Sequence, residues 1–371
     1  MRRETYLDWN ATTPLRPEAA TAIAGALALG GNPSSVHANG RAARQLVERS
    51  RAAVAALVGA APDGVVFTSG GTEANHLALL GSGRARVLVS AVEHSSVLQA
   101  VPEAECIPVD RDGLVAGAAL ATLLVADKRP AVVSVMLANN ETGVIQPVRA
   151  LADIAHAHGA LFHCDAVQAA GKIPVPLAGL GADLVTLSAH KVGGPAGAGA
   201  LLLAPGVEVA PLQRGGGQER YRRAGTENLA GIAGFAAAAS VCDPAEYGRV
   251  RDLRDRLEAA LPSDAVVIGT GTLRLPNTSA IAMLGVPAET QVIALDLDGV
   301  MVSAGAACSS GKVGPSHVLA AMGLAPDIAN STIRVSLGWS TSEADIAHFL
   351  DAWSALYRRT RRQAPRNSRA A

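Results

Sequence analysis

Over the first two thirds of the chain, short apolar runs alternate with longer Ala- and Leu-rich stretches. VVFT (65–68), RVLVS (86–90), AVVSVML (131–137), ALFHCD (160–165) and ADLVTLS (182–188) lack the polar alternation of a half-solvated strand. They predict strands buried on both faces. Between and before them, PEAATAIAGALAL (17–29), RAARQLVERSRAAVAALV (41–58), a stretch opening at Thr72, and ALADIAHAHG (150–159) predict helices, with Gly159 as a C-cap. Strands covered on both faces and separated by helices imply a parallel α/β sheet.

The texture changes near residues 243–261, where DPAEYGRVRDLRDRLEAALP predicts a charged amphipathic helix. Beyond it lie apolar runs at 265–269, 278–284, 301–305 and 333–338, with a helix around 288–296. That mixture predicts a second, smaller α+β domain. The expected division is a large domain over 15–250 and a small one from 1–14 and 251–371. The end of the chain, RRTRRQAPRNSRAA (358–371), carries six Arg. It reads either as a frayed solvated end or as a docking arm for an acidic partner.

Charge and composition narrow the function. Lys plus Arg and Asp plus Glu are 32 each, so the formal net charge is zero, which argues against a nucleic-acid partner. No apolar run reaches the roughly 18–20 residues that span a bilayer, and MRRETYLDWN lacks the apolar stretch of a secretion signal. No membrane partner is expected. The four cysteines (Cys106, Cys164, Cys242 and Cys308) form no CxxC pair. No metal site is expected, and sparse cysteines point to a reduced, cytoplasmic setting.

The chemistry gathers at strand ends. Lys191 follows the run ending at Ser188, in a Gly-rich apolar stretch where desolvation would free its amine to attack aldehydes. An ordinary turn lysine is the plain alternative. Asp165 closes another apolar run, where open α/β sheets bind ligands. It could pair with a protonated pyridine nitrogen or merely cap the adjoining helix. TSGGTEANHLALL (68–80) reads strand, Gly-Gly, helix, a cradle for phosphate or a plain β–α turn. His94 and the Asn139–Asn140–Glu141 group end two further runs. A carboxylate, an amine, an imidazole, an amide and a phosphate-type loop at one sheet edge together suit pyridoxal 5'-phosphate.

Ten segments carry a resemblance: YLDWNATTPL (6–15), GNPSSVHANGR (31–41), TSGGTEAN (68–75), EHSSV (93–97), NNETGV (139–144), CDAVQAAGK (164–172), SAHKVGGPAGAGAL (188–201), RRAGTENLAGIAGF (222–235), SAGAACSSG (303–311) and STIRVSLG (331–338). In order and spacing, nearly the whole chain resembles a class V aminotransferase-fold enzyme, in particular a cysteine desulfurase of the NifS/IscS type. The resemblance implies the type I fold of pyridoxal-phosphate-dependent transferases: α/β, with a mostly parallel seven-stranded sheet in the large domain and a smaller α+β domain. It implies that Lys191 tethers the cofactor, Asp165 pairs with the ring nitrogen, and His94 stacks on the ring and, as a catalytic residue beside Lys191 and Cys308, moves protons to and from the substrate thiol. Asn140 and Gln168 would contact the ring hydroxyl, and Gly71, Thr72, Ser188 and His190 the phosphate. Thr226 would complete the phosphate site of a neighbouring subunit, in a homodimer. Asn32 and Arg334 would bind the carboxylate of the substrate, L-cysteine. The bidentate geometry of a guanidinium suits that last task.

By the same resemblance Cys308 is the nucleophile that collects sulfur as a persulfide, on a long loop reaching acceptor proteins such as an iron–sulfur scaffold. Its Gly-, Ser- and Ala-rich surroundings fit a thiol that swings. Burial as a small hydrophobe is the plain alternative. KVGPSH (312–317) stands where the family commonly has an acidic SLEPSH-type segment. The remaining cysteines read as structural. Rival readings are a selenocysteine lyase, another class V aminotransferase-fold enzyme and a catalytically silent scaffold. A nicotinamide dehydrogenase lacks its strand-first GxGxxG.

Overall fold

The computed structural model describes residues 3–305 and 316–363. Cys308 and residues 364–371 lie outside the described residues. Eight strands come first: β1 (Thr5–Tyr6), β2 (Val65–Thr68), β3 (Arg86–Ser90), β4 (Glu105–Ile107), β5 (Ala131–Ser134), β6 (Leu161–Asp165), β7 (Leu184–Ser188) and β8 (Gly199–Leu203). Four more lie after residue 260: β9 (Val266–Val267), β10 (Thr278–Ala282), β11 (Val300–Met301) and β12 (Thr332–Ser336).

Seven strands form one sheet in the order β2-β8-β7-β6-β5-β3-β4. Every pairing is parallel except those of β8, which runs against both β7 and β2. Residues 189–198 link β7 to β8, too short a link for a helical crossover, so the chain doubles back. Because β8 is reversed against both neighbours, β2 points the same way as β7, β6, β5 and β3. All five therefore open their carboxyl ends on one edge.

The strands end earlier than their apolar runs. The run 131–137 ladders only to Ser134, though Val135 and Leu137 still donate to the carbonyls of His163 and Asp165 at 3.0 and 2.8 Å. Helices Pro17–Leu29, Ala38–Leu57 and Leu229–Ser240 pack together over the sheet. They approach closely: a Cβ on Gly234 would lie 2.7 Å from Ile23 Cγ1.

A second apolar cluster holds Tyr247, Val250, Leu257, Ile281, Phe349 and Trp353. The helix Glu246–Ala259 buries its apolar face here, so this core begins nearer 246 than 251. Leu7 belongs to the same cluster, and β1 pairs in parallel with β11. The final helix runs from Glu343 to Gln363, so the Arg-rich end is helical through its first residues rather than frayed. Its Arg361 pairs with Asp264 and lies 5.2 Å from the Tyr357 ring centroid.

The N-terminal segment crosses between the two cores, locked by aromatics. The Trp9 ring lies directly over Gly338, where no Cβ fits. Trp339 meets Trp9 edge-on at 4.6 Å, and the Arg16 guanidinium covers Trp339 at 4.0 Å. Gly338→Ala should cost about 3 kcal/mol, because the buried indole has nowhere to move. Chemical denaturation checks this, and an unchanged midpoint would show that Trp9 can slide aside.

Candidate active site

A cleft of about 500 Å³ opens where the five strands end. Of the residues that the strand-end pattern and the family resemblance singled out, Gly71, Thr72, His94, Asn140, Asp165, Gln168, Ser188, His190, Lys191 and Arg334 all line it. Asn32 and Thr226 do not. Asn32 is exposed, and its Oδ1 accepts from Ser34 N at 2.8 Å. Exposed Thr226 lines a separate hollow with Glu219, Arg223 and Glu227.

Lys191 ends the turn that leaves β7. Its Nζ donates to the carbonyls of Asn10 and Ala11 at 2.5 and 2.7 Å. Burial, with the Arg334 cation nearby, pulls its pKa down to about 8, against a weaker upward pull from Asp8 and Asp165. His190 is pulled to about 4 by burial and by Lys191 and Lys172. It is neutral at ordinary pH.

Asp165 ends β6. One oxygen accepts from Val167 N at 2.9 Å and the other from Asn75 Nδ2 at 2.9 Å. The carboxylate is thus gripped from two sides at the cleft wall.

The helix Gly71–Gly81 begins on the cleft with no side-chain cap. Its first-turn N–H groups have no acceptor within the helix. A Cβ on Gly71 would meet Val167 Cγ2 at 3.2 Å, so glycine lets this end sit tight against the sheet.

Arg334 lies mid-strand in β12. It donates from Nη2 to Asp8 Oδ1 at 2.7 Å and from Nη1 to Asn140 O at 3.1 Å, while its buried Nε has no partner among the described residues. His94 caps a short helix, accepting from Ser96 N at 3.1 Å.

Two residues at the centre escaped sequence reasoning. Asn10 accepts at Oδ1 from Lys172 Nζ and Asn277 Nδ2 at 3.1 and 3.0 Å, and donates from Nδ2 to Thr278 Oγ1 at 2.9 Å. Lys172 is 1% exposed and also donates to Gln168 Oε1 at 2.8 Å. Burial drives its pKa well down, helped by Lys191 and Arg334. Gln168 commits one N–H to Asn10 O at 2.9 Å, so at most its second faces the cleft. The signal available in the sequence was polarity inside DWNATT and QAAGK, two segments that carry the resemblance but from which only Gln168 was singled out.

Of the other cysteines, Cys164 is buried, Cys106 is exposed on the edge strand, and burial raises the Cys242 thiol to about 11. The last is no nucleophile at neutral pH.

A family model described as Aminotransferase class-V matches residues 5–349. The chain belongs to the class-V aminotransferase family, on its cysteine desulfurase branch. A cysteine desulfurase of Cereibacter sphaeroides is 45% identical, with 97% of each chain covered. The cysteine desulfurase IscS of Dictyoglomus turgidum is 40% identical over 98% of this chain and 97% of its own. A NifS-like protein of Rickettsia africae superposes with a TM-score of 0.90 at 34% identity, covering 96% of this chain and 100% of that one.

Pyridoxal 5'-phosphate is the cofactor of this family, and the donor set fits it. The helix start could take the phosphate, the held carboxylate the ring nitrogen, and the desolvated amine the aldehyde. A lysine with pKa near 8 is increasingly neutral as pH rises through 8, and only the neutral amine condenses with an aldehyde. Recharging stripped protein with the cofactor should therefore accelerate as pH rises from 7 to 9, levelling beyond. A rate that climbs only near pH 10, monitored by visible absorbance, would show Lys191 to be fully solvated.

Proposed function

We propose that the protein converts L-cysteine to L-alanine and hands the released sulfur to an acceptor protein, through a persulfide on Cys308. The observation that carries this reading is the convergence of Lys191, Asp165, the Gly71 helix start and Arg334 on one cleft.

Bound pyridoxal phosphate supplies an electron sink to the substrate's Cα. The chain supplies the rest. Arg334 holds the substrate carboxylate, exchanging its contact with Asp8 for one with the ligand. Lys191 Nζ, half neutral at its pKa of about 8, takes the Cα proton and returns it. Asp165 would accept a hydrogen bond from the ring nitrogen and keep it protonated, with Asn75 fixing the carboxylate's angle. Gln168 and Asn140 line the cleft and would contact the ring hydroxyl; Ser188 and His190 line it too and would contact the phosphate.

Sulfur leaves by displacement. The Cys308 thiolate attacks the substrate sulfur, an S–S bond forms, and the Cβ–S bond breaks with its electron pair passing to carbon. That carbon is then protonated to the methyl group of alanine. The exposed Thr226 fits completion of a partner subunit's phosphate site, and a homodimer follows from that assignment. An iron–sulfur scaffold and a tRNA-thiolation relay are both chemically suitable acceptors.

Cys308→Ala should keep the cofactor and bind cysteine, yet release under a hundredth of the sulfide under reductant. Normal sulfide output would remove Cys308 from the reaction. Arg334→Ala should raise KM for cysteine at least tenfold, about the worth of one charge-assisted hydrogen bond, with the cofactor spectrum little changed. An unchanged KM would place the carboxylate elsewhere.

A further inference from the structure

The helix Gly71–Gly81 brings more than its first turn to the cleft. Asn75, one turn in, is 1% exposed and lines the same cleft. Its single amide nitrogen donates both of its hydrogens: 2.9 Å to Asp165 Oδ2 and 2.9 Å to Ser96 Oγ. A carboxylate only accepts, so the amide must face Asp165 with nitrogen. Its Oδ1 is left without a partner among the described residues.

That choice propagates. Ser96 Oγ accepts from Asn75 and keeps its own hydrogen free to turn toward His94 Nδ1, 2.8 Å away. The backbone N–H of Ser96 reaches the same Nδ1 at 3.1 Å. A backbone N–H can only donate, so Nδ1 carries the lone pair. Burial keeps the ring below its ordinary pKa; the neighbouring Lys191 and His317 push the same way and Asp165 opposes them. The ring is therefore neutral at working pH, and its one proton sits on Nε2.

We infer that Asn75 and Ser96 are positioning residues that lock His94 as the Nε2–H tautomer, so that His94 meets the substrate as a hydrogen-bond donor and not as a base. The acceptor that fits such a donor is an electron-rich substrate atom, a thiolate sulfur or a carboxylate oxygen. The inference deepens the desulfurase reading and rests on it only for the identity of that atom. The tautomer itself follows from the chain alone. One amide thereby serves two ends of the site, aiming Asp165 and His94 together.

The test is nitrogen NMR of 15N-histidine-labelled holoenzyme, with the His94 signals assigned by their loss in His94→Gln. The wild type should show an unprotonated Nδ1 and a protonated Nε2 from pH 6 to 8. Ser96→Ala and Asn75→Ala, which keep the backbone N–H, should move the His94 midpoint up toward the ordinary 6.5 and weaken the preference for the Nε2–H tautomer. Ser96→Thr, which keeps the hydroxyl, should retain the wild-type pattern. Ser96→Ala should also lower kcat about tenfold with KM within about twofold, as expected for one weakened hydrogen bond.

A wild-type Nδ1 carrying a proton, or a Ser96→Ala spectrum identical to wild type, overturns the inference. The wild-type measurement needs no variant to fold. Bound cofactor and sulfide output are read on the same samples. Their absence defeats the functional reading and leaves the tautomer result standing.

Discussion

A lysine amine becomes a nucleophile near neutral pH only when water is kept from it. Everything at the cleft of this protein is arranged around that requirement. The Nζ of Lys191 donates to two carbonyls of the N-terminal segment, Asn10 and Ala11, rather than to solvent. That segment is itself held between two cores, by Trp9 seated on Gly338 and by Asn10 bonded to Thr278, Asn277 and Lys172. The depressed pKa of one side chain thus depends on parts of the chain more than 250 residues apart in sequence coming together.

The polar network offsets the cost of its burial by being almost fully paired. Asn10 uses both ends of its amide as well as its backbone, and Lys172 finds two amide oxygens. A neutral lysine amine has two hydrogens, and those two contacts account for both. Two buried atoms of cleft-lining residues, Asn75 Oδ1 and Arg334 Nε, lack partners among the described residues, as do others far from it such as Gln291 Oε1 and Trp353 Nε1. A ligand in the cleft could supply counterparts for the first two.

Much of this was legible in the sequence, for a physical reason. An apolar run that stops at a polar residue marks both a strand and its carboxyl end, so Asp165, Lys191 and His94 announced themselves together with β3, β6 and β7. The relay residues did not. Asn75 lies inside a helix and Asn10 inside a connector, and only tertiary contacts give either one a purpose. The three-residue edge strand β4 was too short to leave a periodicity. The Arg-rich end looked solvated by composition, yet its helix continues because Arg361 reaches Asp264 from beside Tyr357. The expected placement of Asn32 in the cleft came from resemblance alone, with no local pattern behind it, and this residue sits elsewhere.

The reversal between β7 and β8 has a further consequence. The tether point hangs on a bend whose two legs are stitched to each other and to a third and fourth strand, so it is anchored on both sides by one continuous ladder. Its geometry is therefore a property of the scaffold and not of the vitamin it holds. On the proposed assignment, backbone pairing alone would keep the seat's shape when it is empty.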